Sequence, residues 1–146
     1  MKWKKTTPPI DEIDKDIKKQ LQKNGRKSYR QIAKELDLSV GTITNRIQKL
    51  QDKGIIQGFH LELDYAALGY NIQTIIGLDA TGNINNIISQ YPNNIIAAHK
   101  TTGQYNTLLI TRFKDTTELN TFLENITKEE NIKKTYTQLI LNSISN

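Results

Sequence analysis

The 146-residue sequence contains no cysteine. That excludes disulfides, thiolate metal sites and a cysteine nucleophile, and it fits a reducing compartment. Histidine is scarce too. His60 and His99 are the only two, and neither lies in a metal-binding or base-activating motif. No GxxxxGKS/T loop, GxSxG elbow or HExxH pair occurs, so the recognisable nucleotide, hydrolase and zinc-protease sites are missing. The acidic pairs Asp14–Asp16 and Glu129–Glu130 read as solvated faces. No uninterrupted apolar run exceeds four residues, as in IIAA at 95–98, so nothing is long enough to span a membrane or to follow the N-terminal lysines as a signal-peptide core. The expectation is a cytoplasmic protein that is not an enzyme and holds no cofactor or metal.

What is present points to binding. Hydrophobic residues make up 36% and charged residues 24%, enough to build a core in one ordinary domain or two small ones. The net charge of +5 is unevenly spread. Residues 1–60 hold 14 Lys and Arg against 7 Asp and Glu, whereas residues 61–146 hold 6 against 8. A front half at +7 and a back half at −2 imply two modules, the first suited to a polyanion.

Ile10, Ile13, Ile17 and Leu21 form one helical stripe, with Asp11 as cap and Asn24-Gly25 as stop. Ser28 opens a second helix, SYRQIAKEL, with Gln31 in capping-box position and Tyr29, Ile32, Ala33 and Leu36 on its buried face. After a turn at Asp37-Leu38, Ser39 caps a third helix running to about Lys53. Leu38 and Ile43 can staple its start. In this helix Val40, Ile43, Ile47 and Leu50 repeat at helical spacing, but the remaining face carries Gly41, Thr42, Thr44, Asn45 and Arg46. β-branched and short polar residues are weak helix formers, so a face built from them needs a reason other than solvation. Two helices joined by a tight turn make a helix-turn-helix, whose second helix enters the DNA major groove with its N-terminal residues, here Ser39, Val40, Gly41, Thr42, Thr44 and Asn45, facing base edges. Small residues let its backbone approach, Thr methyls meet thymine methyls, Asn45 can pair with adenine, and Arg46 can reach a guanine edge or a phosphate. Lys49 extends the same face. Ser28 and the amides at its helix start, with Lys27, Tyr29 and Arg30, can hold a phosphate. A bundle that docks a protein is the bland alternative.

Beyond Gly54 the pattern changes. In IIQGFHLELDY, Phe59, Leu61 and Leu63 alternate with His60, Glu62 and Asp64, which predicts a strand acting as wing and connector. Strands follow at Asn71–Leu78, Ile95–Thr101, Asn106–Phe113 and near Lys133–Ile144. Helices are expected around Ile84–Tyr91 and Leu119–Ile126. The order βαββαβ is the ferredoxin-like split unit. The expected fold is α+β. A winged helix-turn-helix domain occupies residues 1–64 with its wing and linker strand, 65–70 form a linker, and 71–146 form a ferredoxin-like oligomerisation and effector domain.

From Ile10 to Gly69 the sequence resembles the Lrp/AsnC (feast/famine) family of transcription regulators. The matching signposts are Asp11-x-x-Asp14, the N-G-R-x-S turn, IAKEL, the helix L-S-x-x-T-I/V-x-x-R-I/V-x-x-L, then G-I-I-x-G-F/Y and L-D-x-x-x-L-G. The second half is similar to the family's effector domain, including G-Q-Y-N at 103–106. The resemblance implies a regulator that binds double-stranded DNA at pseudo-palindromic sites. It implies homodimers formed through the C-terminal sheets and often assembled into octamers or larger forms. It also implies an amino acid or related effector held between C-terminal domains. By resemblance, Gly103, Tyr105 and Asn106 mark the effector loop, and Thr135 and Thr137 line the same cavity. One departure stands out. The family loop usually reads G-x-Y/F-D, and Asn106 replaces a carboxylate that could pair with an ammonium. Its neutral hydrogen bond is about half as strong, and Gly103 and Asn106 also suit a plain turn. Two other classes use the same features: an architectural protein coating DNA with little sequence choice, and a small-ligand enzyme or carrier built on the C-terminal sheet.

Overall fold

Three capped helices open the chain because each has an oxygen-bearing side chain where the first backbone N–H groups would otherwise lack partners. Asp11 Oδ1 accepts from the Asp14 N–H at 2.9 Å, and Asp14 Oδ2 accepts in return from the Asp11 N–H, starting α1 (Glu12–Lys23). Ser28 and Gln31 form the equivalent reciprocal pair at the start of α2 (Tyr29–Glu35). Ser39 Oγ accepts from the Thr42 N–H at 3.0 Å to start α3 (Val40–Asp52). The turn between α2 and α3 passes through Asp37 at φ 53°, a left-handed conformation that Asp tolerates better than most residues. There the Leu38 N–H donates back to the Ala33 carbonyl at 2.9 Å. Gly54, at φ 68°, ends α3 in the same manner, with Gly54 N–H on Gln51 and Ile55 N–H on Leu50, both at 2.8 Å. Ile17, Leu21, Ile32, Ala33, Ile43, Ile47 and Leu50 close into one core.

The computed structural model describes residues 10–142, and the chain divides into two compact units, Met1–Glu62 and Leu63–Asn146. The first nine residues of the expected N-terminal domain, and the Ser143–Ile144 end of the expected last strand, lie outside the described residues. The expected wing strand is corrected. Residues 57–64 form no strand. Alternation decides which face a strand would bury, but a strand also needs a hydrogen-bonding neighbour, and the described residues supply none for this segment. Phe59 instead approaches the turn that follows α1, its ring edge lying 3.4 Å from where a Cβ on Gly25 would stand.

The second unit follows the βαββαβ order. Strand β1 (Ile72–Ala80), helix α4 (Asn85–Gln90), strands β2 (Ile95–Lys100) and β3 (Thr107–Phe113), helix α5 (Thr116–Ile126) and strand β4 (Ile132–Leu139) follow in turn. The sheet order is β2-β3-β1-β4 with every neighbour antiparallel. Ile76 and Leu78 on β1, with Leu109 and Phe113 on β3, share a core with Ile87 of α4 and Leu119, Phe122 and Ile126 of α5. Phe122 packs on Phe113 and meets Tyr91 edge-on, with ring centroids 5.2 and 4.7 Å apart. Within this buried face Thr74 and Thr111 lie directly opposite each other, and their hydroxyls share a 2.6 Å hydrogen bond. The opposite face of the sheet, bearing Ile75, Leu108, Ile110 and Tyr136, lies away from that core.

Candidate functional site

Helix α3 divides cleanly by its own spacing. Ile43, Ile47 and Leu50 are buried at i, i+4 and i+7. Gly41, Asn45, Gln48 and Asp52 follow at i, i+4, i+7 and i+11, all exposed and on the opposite side. Val40, 44% exposed, and Thr44 flank that stripe near its N-terminal end, and Lys49 flanks it further along. Among the described residues, and apart from the helix's own backbone, only the Ser39 hydroxyl, at 3.8 Å, comes near the space a Cβ on Gly41 would take, so a surface can approach the backbone closely there. The Thr44 hydroxyl donates to the Val40 carbonyl at 2.9 Å, which leaves its methyl as the group it offers outward. Thr42 is turned inward to the cap, its hydroxyl 2.8 Å from that of Ser39. Gln48 was not singled out from the sequence. The signal for it was present, because it stands three residues after Asn45 on the line opposite the buried stripe.

Two residues expected to contact DNA have their charged ends engaged within the unit. The Arg46 guanidinium does not project outward: Nη1 donates to Asp11 at 2.6 Å and to Asp14 at 2.9 Å. It therefore fastens α3 to the start of α1. The reason lies in the helical spacing, which sets Arg46 on the flank beside α1, where the cap of that helix presents two carboxylates. Asp14's N–H, and then Arg46, hold the Asp11 carboxyl below its ordinary range, and the two carboxylates push Arg46 higher still. Lys27 is similarly engaged. Its ammonium donates to Gln20 and Glu35 and its side chain is only 16% exposed; it lowers the Glu35 carboxyl in turn. Ser28 serves α2 as its cap, while Tyr29 and Arg30 are exposed beside it.

The expected effector residues separate. Gly103 occupies a turn at φ 104° and is exposed, a backbone conformation that favours glycine. Asn106 is committed to the sheet. Its Nδ2 donates to the Ala80 carbonyl at 2.8 Å, and its Oδ1 accepts from the Ala80 N–H at 3.1 Å, as a neighbouring strand would. Tyr105 lies over Gly77, where a Cβ would come within 3.1 Å of it, and stacks on Tyr136 at 5.5 Å between ring centroids. Thr135 and Thr137 pair with Leu78 and Ile76, so they sit on the side of the sheet that holds the core, whereas Tyr136, opposite Gly77, sits on the other. The expectation that they share a cavity with Tyr105 is therefore corrected, because alternation along β4 sends them the other way.

Among the described residues no group of three or more His, Asp or Glu could hold a metal ion, and no helix is long and apolar enough to cross a membrane.

Comparison with known proteins matches residues 10–57 to the model of a winged helix-turn-helix DNA-binding domain. Residues 79–146 match the Lrp/AsnC ligand binding domain. An HTH-type transcriptional regulator of Pyrococcus abyssi is 40% identical over 136 residues, spanning 90% of this chain and 92% of its own. The HTH-type transcriptional regulator FL11 of Pyrococcus horikoshii is 36% identical over 137 residues, spanning 91% and 90%. Among solved structures, AsnC of E. coli superposes with a TM-score of 0.81 at 27% identity, covering 95% of this chain and 97% of that one. A transcriptional regulator of Neisseria meningitidis in complex with L-Met shares the fold, with a TM-score of 0.84 at 19% identity over 94% of each chain.

Proposed function

The chain belongs to the Lrp/AsnC family of transcription regulators, and from that premise we propose how its residues do the work. It is a DNA-binding regulator and not an enzyme. Helix α3 lies in the major groove with Val40, Gly41, Thr44 and Asn45 against base edges. Lys49, Tyr29 and Arg30 meet the phosphates alongside. The observation that carries this reading is the outward stripe of α3: small at Gly41, amide-bearing at Asn45, and opposite the residues that anchor the helix. Asn45 offers a donor and an acceptor to adenine, and the Val40 and Thr44 methyls offer apolar contact to thymine.

A second copy of this chain is the partner proposed for the other unit. The sheet face bearing Ile75, Leu108, Ile110 and Tyr136 suits sheet-on-sheet packing. A two-fold dimer then reads two half-sites about 34–36 Å apart or a multiple of it, and dimers assemble further into octamers or larger forms. An amino acid is the effector class proposed, supported by the ligand-binding family model and the L-Met complex of the Neisseria relative. Asn106 contributes shape to that region and not charge, since its amide is already engaged by Ala80.

Selection from genomic DNA fragments followed by footprinting, at about 150 mM salt with competitor DNA, tests the reading with and without added amino acids. A protected two-fold site is the expected result, weakened when Asn45 is replaced by Ala. Uniform coating under every condition overturns it. Light scattering on the same protein reads the assembly size.

A further inference from the structure

We propose that Gln48 is a further specificity-determining residue of α3, accepting a hydrogen bond from a base amino group, and that Asp52 is the positioning residue that makes it an acceptor. The proposal rests on the groove-binding reading of α3 given above.

Gln48 stands on the outward stripe one turn beyond Asn45 and is exposed. A free glutamine amide has no fixed polarity, because rotation about its last bond exchanges the oxygen and the nitrogen. Here that freedom is removed. The amide group lies 2.8 Å from Asp52 Oδ1, and an ionised carboxylate only accepts hydrogen bonds. The Gln48 nitrogen must therefore face Asp52, which takes one of its two N–H groups and fixes the carbonyl oxygen on the side away from Asp52, where it is the group offered to a base. In the major groove the matching groups are the amino hydrogens of adenine N6 and cytosine N4. The O4 of thymine and the O6 of guanine are acceptors and would meet an acceptor. Asn45 and Gln48 thus ask different questions of the DNA. Asn45 can satisfy the donor and acceptor edge of one adenine, whereas Gln48 tests a single amino group further along the groove.

Asp52 stands in the last turn of α3. A carboxylate in the last turn of a helix opposes the helix dipole, and facing DNA it also opposes the phosphates. Its tether to Gln48 is what it contributes in return.

Base-preference profiles from randomised DNA, measured for the intact wild-type protein, Gln48→Ala, Asp52→Asn and the double variant, test the proposal. Both residues are exposed and neither belongs to the core, and a thermal melt checks that each variant folds. Gln48→Ala is expected to lose about five- to tenfold of discrimination at one base pair in each half-site. The remaining positions and the salt dependence should stay as they were. Asp52→Asn lets the Gln48 amide turn over, so the same base pair should accept thymine O4 or guanine O6 as well. It should also bind all DNA more tightly through its lost charge. The double variant should show the Gln48→Ala profile, since Asp52 acts through Gln48. A Gln48→Ala profile identical to a selective wild type overturns this inference alone. An Asp52→Asn variant that changes only overall affinity overturns the role given to Asp52. A wild type with no preferred site at any position overturns the groove-binding reading together with this inference.

Discussion

Replacing Arg46 by Ala should destabilise the N-terminal unit and leave its choice of bases unchanged. Arg46 makes two charge-assisted hydrogen bonds, at 2.6 and 2.9 Å, across from α3 to the first turn of α1. Its side chain is 27% exposed and that of Asp14 is 15% exposed. Fully exposed ion pairs contribute about 0–1 kcal/mol, and breaking a fully buried one costs about 3–5 kcal/mol. The intermediate burial here places the loss at about 1–2 kcal/mol. For a unit of this size that corresponds to a drop on the order of 5–15 °C in its melting temperature, readable by calorimetry. One of the two acceptors, Asp11, also titrates. Asp11 has a folded pKa held below its ordinary value of 3.8, so its contribution is fully present above that value and is lost as pH falls through the lower folded one. The melting difference between wild type and Arg46→Ala should therefore be constant from neutral pH to roughly 5 and shrink towards pH 3. Suppose instead that Arg46→Ala melts like the wild type yet loses discrimination at a guanine or flattens the salt slope. The guanidinium would then leave its carboxylates for DNA, and the reasoning would fail.

The lysines make a contrast. Exposed Lys49 should, on changing to Ala, lower the slope of log affinity against log salt by about one unit, whereas Lys27→Ala should barely move it, its ammonium being held by Gln20 and Glu35. Asn106→Asp keeps the acceptor for the Ala80 N–H but sets a carboxylate against the Ala80 carbonyl. A loss of about 1–3 kcal/mol in the C-terminal unit is expected by denaturant unfolding. No loss there would mean that the amide pairing is dispensable. Gly77→Ala puts a Cβ 3.1 Å from Tyr105 and should dislodge its stack on Tyr136 at a cost of about 1–3 kcal/mol. Tyrosine fluorescence together with unfolding checks both effects.

Helices and caps were legible in the sequence because their causes are local. Ser28 with Gln31, and Ser39 before its apolar stripe, act within one turn of chain. The βαββαβ order was equally legible from alternation and periodicity. Partnering was not. Whether residues 57–64 become a strand depends on a neighbour elsewhere, and Phe59, Leu61 and Leu63 alternate in either case. The fate of Arg46 was hidden for a related reason, since its partners lie more than thirty residues earlier. Asp11 and Asp14 were visible as a cap, but only the packing of α1 beside α3 makes them ligands for a guanidinium. Thr135 and Thr137 show the converse. Their alternation with Tyr136 was readable, and it alone separates them from the face that holds Tyr105.

The Thr74–Thr111 pair bears on how the sheet finds its alignment. A slip of one residue between β1 and β3 would turn apolar side chains outward and is strongly disfavoured. A slip of two residues leaves the hydrophobic pattern intact, and apolar packing resists it only weakly. In that misalignment Thr74 would oppose Leu109 or Phe113 in place of Thr111, stranding two hydroxyls in the core at about 1–3 kcal/mol each. These two oxygens thus distinguish alignments that greasy side chains treat alike, and changing both to Val should leave the native sheet stable while admitting the shifted one during refolding.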